Sequence, residues 1–395
     1  MPVYSRIQVV ENDKSYEIPL ILTVYATTGM LGVYLSVLQY TVLGISWLFG
    51  RDIVFVGVLI GLHSFGMLVS PLTLGGLSDK IGKRKVLLVS FTLLAAGTIT
   101  AGATSYLGAF VLAVFITGAG FSVTEATVCA VLADEFPEKS RRHLNFSQIP
   151  FSAGALIGPF VAERLIDYGV FFKDLYAYCG AGFVFLGCAF LFIKQKNDIA
   201  AKSAGEGRNI VFLLKNRVFM ILAACIFIYI GIEAVASGFA DSYFKIVAGA
   251  PGYSAAALSL FWGAMIPSRF LGGTIKLDAK WVLAIFLVIT LIGIMGGMLL
   301  PWHTAKLAMF ALCGFGCGPV WPLLMNEAAK SNPGRSGLEL NAMVVFGAAG
   351  SVLYPMVSGV LAGASSTVAA YYFIAASVFI ILFLCFRYFR LAKKP

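Results

Sequence analysis

Charge is scarce in this sequence. Of its 395 residues only 12% are Asp, Glu, Lys or Arg and three are His, whereas 59% are hydrophobic. Soluble domains carry about 25% charge, so a water-facing surface of ordinary composition is excluded; the mean hydropathy of +0.89 places the chain in a bilayer. The cysteines are odd in number, and Cys129, Cys179, Cys188, Cys225, Cys313, Cys317 and Cys385 all lie in or beside apolar stretches. That argues against a disulfide framework and for small packing residues. There is no phosphate-binding glycine loop, no metal-ligand spacing and no nucleophile beside a base. Neither an enzyme nor a metal or cofactor is expected, and the missing nucleotide site points to secondary rather than ATP-driven chemistry.

What is there is apolar and long. Runs lie at roughly 18–41, 51–75, 86–104, 107–133, 144–168, 171–193, 217–245, 253–273, 281–300, 304–327, 339–362 and 369–389, and about 20 residues suffice for a helix to cross the hydrocarbon. The expected fold is an all-α membrane protein of about twelve transmembrane helices. A β-barrel is excluded, because barrel strands are shorter and alternate. The first seventeen residues are polar and followed by a run long enough to span, so no cleavable signal peptide is expected and the N-terminus is expected in the cytosol. With that register, all of the 29 Lys and Arg except Arg51, Arg164, Lys173, Lys245 and Lys306 fall on the cytosolic side, together with both termini. The net charge of +10 is therefore a topological signal for an inner or plasma membrane protein, and nucleic acid is not an expected partner.

The longest polar connection, KQKNDIAAKSAGEGRNIVFLLKNR, divides the runs into two groups of six. The expected organisation is a bundle over 1–193, a cytosolic linker over 194–216 and a second bundle over 217–395. FSAGALIGPFVAE in the fifth run is similar to FGAAGSVLYPMVSG in the eleventh, and SRFLGGTIKLDAK after the eighth is a worn copy of GGLSDKIGKRK after the second. Such spacing indicates duplication, the plan of transporters that hold a solute between two halves.

GGLSDKIGKRK, with Gly75, Leu77, Asp79, Lys80, Gly82, Lys83 and Arg84, closely resembles the loop signature G-x-L-x-D-[RK]-x-G-[RK]-[RK] of the major facilitator superfamily. The resemblance implies two pseudo-symmetric six-helix bundles, a monomer, and a conformational latch formed by Gly75, Asp79, Gly82 and Arg84. GAGFSVTEATVCAVL, RRHLNFSQIPFSAGALIGPFV, YIGIEAVASGFADSYF, FWGAMIPSR and GFGCGPVWPLL are each similar to patterns of the fucose:proton symporter branch and its sugar-transporting relatives. That branch commonly places an asparagine four residues after its acid in the fourth span, where Cys129 follows Glu125 here. The first span offers Thr27, Thr28, Tyr34 and Gln39 instead of an acid.

Acids within a span cost about 2.5–3.5 kcal/mol on insertion scales, so they mark function. Tyr229, Glu233, Ser237 and Asp241 recur every four residues as one polar stripe. Glu125 shares a face with Ser122 and Cys129. Carboxyls isolated in low dielectric take and release protons near neutral pH, so Glu125 and Glu233, one per half, are expected to carry coupling protons, with His63 as a further relay. Gln39, Gln148, Tyr229, Glu233, Asp241, Trp262, Trp321 and Asn326 are the expected solute contacts. Arg269 falls toward the cytosolic end of its run, where bracing a loop outweighs anion binding; no cation is expected at the depth of the acids. Gly314, Gly316, Gly318, Pro319 and Pro322 mark a bendable tenth span. The expected function is symport of a small polar solute such as a sugar with a proton, or sodium, by rocker-switch alternating access. Proton-antiport efflux of drugs or metabolites is the alternative, since GALIGP partly matches an antiporter signature.

Overall fold

In lipid the backbone must bond to itself, which leaves helices as the solution for runs of this length. The computed structural model describes residues 17–74, 82–136, 140–193, 213–331 and 336–391. The first six helices are α1 (Glu17–Leu48), α2 (Ile53–Leu74), α3 (Lys83–Ala103), α4 (Leu107–Glu135), α5 (Ser140–Asp167) and α6 (Asp174–Leu191). The second set is α7 (Arg217–Gly238), α8 (Ser254–Thr274), α9 (Ala279–Leu299), α10 (His303–Cys317), α11 (Val320–Ser331), α12 (Ser336–Ala364) and α13 (Thr367–Leu391). No strand occurs among the described residues. Among the described residues eleven stretches are long and apolar enough to cross a membrane, with α10 and α11 forming one of them. Helix α8, 21 residues long, is the twelfth; it carries Arg269 and Pro267.

Two six-helix bundles result, and their likeness is visible where glycines let backbones touch. In the first, Gly154 of α5 meets the carbonyl of Gly29 in α1, Gly118 of α4 meets the carbonyl of His63 in α2, and Gly120 meets Leu94 in α3. In the second, Gly350 of α12 meets the carbonyl of Phe227 in α7, Gly314 of α10 meets that of Phe261 in α8, and Gly316 meets Thr290 in α9. The same three helix pairs are thus held by the same device, small residues that admit close approach. Between the bundles, Gly57 of α2 lies against the Pro355 carbonyl and Gly359 of α12, and Gly61 lies against Val352 and Met356.

Loop chemistry fixes several helix ends. Gly82, at φ 88°, precedes α3 in a conformation that side chains resist. Arg84 Nη2 donates to the Leu191 carbonyl at 2.7 Å, satisfying the end of α6. Gly75 and Asp79 of the expected latch lie outside the described residues, as do residues 194–212 of the expected linker. Asn216 caps α7, accepting from the amides of Val218 at 2.9 Å and Phe219 at 3.3 Å.

A β-carbon on Gly314 would meet the Phe261 backbone, whereas one on Gly108 would meet nothing within 4 Å. Gly314→Ala is expected to cost about 1–3 kcal/mol and Gly108→Ala to cost no more than about 0.5 kcal/mol, compared as melting temperatures of the detergent-solubilised protein.

Candidate functional site between the two bundles

The tenth span breaks between Cys317 and Val320, and that break organises the site. Pro322 has no amide hydrogen to offer the Gly318 carbonyl four residues earlier. Instead that carbonyl accepts from Arg269 Nε of α8 at 3.3 Å, and the adjoining Cys317 carbonyl accepts from the Tyr229 hydroxyl of α7 at 2.9 Å. Close packing holds α8 against the break, with Gly318 against Ser268 and Met265, and Gly272 against Pro319.

Tyr229 also hydrogen-bonds Glu233 Oε2, one turn along α7. A phenol has one hydrogen to donate, and here it faces both a carboxyl oxygen and the Cys317 carbonyl. Both bonds are satisfied together when Glu233 carries the proton and donates to the phenol oxygen. Glu125, from α4 of the other bundle, feels the charges of both Glu233 and Arg269, and Arg269 acts on Glu233 as well. Both carboxyls and Arg269 are half-buried. Among the described residues none of the three has an ion-pair partner within contact distance. Sequence reasoning placed Arg269 near a helix end as a loop brace and expected no cation beside the acids. The structure corrects this: the long side chain reaches across to the first bundle, where Nη1 donates to Ser152 Oγ of α5 at 3.0 Å, and Nη2 lies 3.8 Å from Met265 Sδ.

Away from the chain ends, a polar clamp closes the gap. Gln39 Nε2 of α1 donates to Ser237 Oγ of α7 at 2.9 Å, and Trp262 Nε1 of α8 donates to Gln39 Oε1 at 3.0 Å. Ser237 in turn donates to the Glu233 carbonyl at 2.7 Å. Gln39 is 4% exposed and Trp262 2%, and Phe151 packs edge-on against the indole at 5.9 Å. Side-chain hydrogen bonds that join the bundles include the two in this clamp and the Arg269–Ser152 bond beside the acids. The clamp thus ties the bundles together on the side remote from the termini.

Beyond the clamp, a short helical turn (Ala240–Ser242) and a π-helical turn (Tyr243–Val247) follow α7. Asp241, fully buried, pairs with Lys245 at 2.9 Å, and Lys245 sits over the Tyr40 ring of α1 at 4.9 Å. Asp241 therefore lies with the closing contacts rather than beside Glu125 and Glu233. Lys245 also lines a pocket of about 330 Å³ with Tyr40, Glu163 and Asp167.

The remaining expected residues divide. Gln148 is half-buried one turn from Ser152 on α5, Trp321 is 37% exposed just past the break, and Asn326 is exposed farther along α11. His63 is enclosed within the first bundle between Tyr34 and Phe121, both rings 5.6 Å away. No described group bonds its Nε2. Sequence reasoning missed Ser152, whose lone hydroxyl in an apolar run carries little signal, and the carbonyls freed in span ten, which the Gly-Pro pattern did foreshadow.

Two helical bundles meeting over half-buried charged side chains form the architecture of a membrane transporter. The sequence profile of the Major Facilitator Superfamily matches residues 18–278, and the chain belongs to that family. The inner membrane transport protein YajR of Escherichia coli K12 is 26% identical over 148 residues, 36% of this chain and 32% of that protein; the match thus spans about a third of that relative. Among solved structures, the E. coli fucose:proton symporter FucP superposes with a TM-score of 0.67 at 17% identity, covering 95% of this chain and 99% of that one. The nucleoside transporter NupG gives 0.75 at 14%, covering 95% and 100%. A bacterial homologue of the human lysosomal transporter Spinster, inward-facing and occupied, gives 0.77 at 11%, covering 97% and 98%. At these identities the likeness is one of fold.

Gln39→Ala would strand the buried Trp262 N–H, while the Ser237 hydroxyl keeps its bond to the Glu233 carbonyl, at an expected cost of about 1–3 kcal/mol. It is also expected to expose a cysteine placed at Ser237 to a membrane-impermeant thiol reagent added to the side remote from the termini, read as labelling rate.

Proposed function

We propose that this protein is a proton-coupled symporter that carries a small polar solute, such as a sugar, by alternating access. The observation that carries this reading is the juxtaposition of Glu125 and Glu233, one from each bundle, half-buried on either side of the same gap. Glu233 exchanges its proton against the Tyr229 hydroxyl, and Glu125 does so against the charge of Arg269. Gln148 and Trp321 supply hydrogen bonding and an apolar ring face to the solute.

The bodies that rock are 1–193 and 217–395, joined by 194–216, with the termini in the cytosol as the basic loops favour. On that orientation the Gln39–Trp262–Ser237 clamp and the Asp241–Lys245 pair form the outer gate, closed here, and the gap opens to the cytosol. Solute and proton bound from outside would be released inward once the gate has shut behind them. Gln39, Trp262 and Asp241 then act on the solute in the outward-open state, when their present bonds are broken, and Arg84 holds the end of α6 as part of the latch.

A one-unit pH gradient can sustain about a tenfold solute ratio for each proton carried. In proteoliposomes, wild type is expected to accumulate its solute inward when the lumen is alkaline. Glu125→Gln and Glu233→Gln are each expected to equilibrate solute to a ratio near one while still exchanging it by counterflow. Uptake indifferent to the gradient in wild type would refute the coupling, and accumulation reversed in direction would select the antiport alternative, to which GALIGP in α5 gives some support.

A further inference from the structure

We infer that the gap beside Glu125 and Glu233 takes a small polyol bearing one carboxylate, a sugar acid, with its carboxylate docked on the Arg269 guanidinium. This rests on the transport reading above and names its solute class.

Arg269 is a cation surrounded at contact distance by neutral groups. Its acceptors are the Gly318 carbonyl, the Ser152 hydroxyl and the Met265 thioether, at 3.3, 3.0 and 3.8 Å. A thioether is a weak acceptor and a guanidinium has five N–H donors, so the edge bearing Nη2 is poorly matched and its fork geometry suits a carboxylate. An arginine whose task was bracing alone would be matched by a carboxylate or by strong acceptors all round. Among the described residues no carboxyl reaches it.

The charged groups facing this point are Glu125 from α4 and Glu233 from α7; the helices α5, α8, α10 and α11 bring Ser152 and Gln148, Met265, the Cys317 and Gly318 carbonyls, and Trp321, all neutral. With both carboxyls ionised the cluster carries one net negative charge and repels an anion. With Glu233 protonated the cluster is neutral, and with Glu125 also protonated it is positive. Proton loading therefore creates the attraction for the anion, and losing the protons expels it. The coupling follows from charge balance without any large rearrangement of the site. The hydroxyls of a sugar acid find the half-buried Gln148 amide, and its apolar face finds the exposed Trp321 ring.

The test compares D-glucuronate with D-glucose, which differ only at C6, by thermal shift and isothermal titration on the full-length protein in detergent at pH 5.5 and 7.5. Glucuronate is expected to bind at least tenfold more tightly than glucose at pH 5.5 and to lose most of that advantage at pH 7.5. Arg269→Gln is expected to erase the preference. Ser152→Ala, which removes the cross-bundle brace and keeps the charge, is expected to retain it; loss in both variants would identify Arg269 as a brace and overturn the proposal. Where Arg269→Gln fails to elute as a single species, Arg269→Lys serves, with the preference expected to fall but persist. Equal binding of the two sugars, or no binding of glucuronate by wild type, also overturns it. Glucose uptake driven by a pH gradient would overturn the anion site and leave proton symport standing, whereas glucuronate binding with uncoupled uptake would do the reverse.

Discussion

The structure depends on one rule of the bilayer: a backbone carbonyl there must find a donor within the protein. Most of the chain obeys it by being helical. Span ten departs from it, because proline and glycine interrupt the ladder at Cys317–Pro322, and the carbonyls at the break must be served by side chains. Tyr229 and Arg269 do this, from two different helices of the second bundle. One of the groups that repair the helix bonds Glu233, and the other lies within electrostatic reach of both Glu233 and Glu125. This cluster sits where it does because the fold has a hole in its hydrogen bonding at that depth.

That arrangement ties charge to shape. The phenol hydrogen of Tyr229 cannot serve an ionised Glu233 and the Cys317 carbonyl at once. An ionised Glu233 and the Cys317 carbonyl therefore compete for the same hydrogen at the break. Arg269 stands on the other side of the same break and reaches the opposite bundle through Ser152. Tyr229 and Arg269 thus join Glu233, the interrupted turn and the opposite bundle in one short chain of contacts.

Much of the fold was legible in the sequence because it is written in composition. Apolar runs of spanning length give the helices, and the glycines of GAGF and GFGCG give the paired close approaches. Glu125 and Glu233 stood out because acids in such runs are costly. What the sequence concealed were partnerships across the halves. Nothing near Gln39 signals that its amide ends between Ser237 and Trp262, since those residues come from the other bundle and the pairing is made by docking of whole helices. Arg269 was misplaced because its backbone lies late in α8, whereas its charge sits a side-chain length away among the acids. His63 reads as a relay by residue type, but its surroundings of Tyr34 and Phe121 are aromatic, a matter of packing that no spacing encodes.

Glycines bring the backbones of α2 and α12 together: Gly57 lies on the Pro355 carbonyl and Gly359, while Gly61 takes the Met356 side chain and Gly363 that of Val54. Interlocking side chains would have to disengage before two helices could tilt past one another. Where bare backbone meets bare backbone there are no teeth to unmesh, so this stretch of the seam resists a change of angle less than an interdigitated one would.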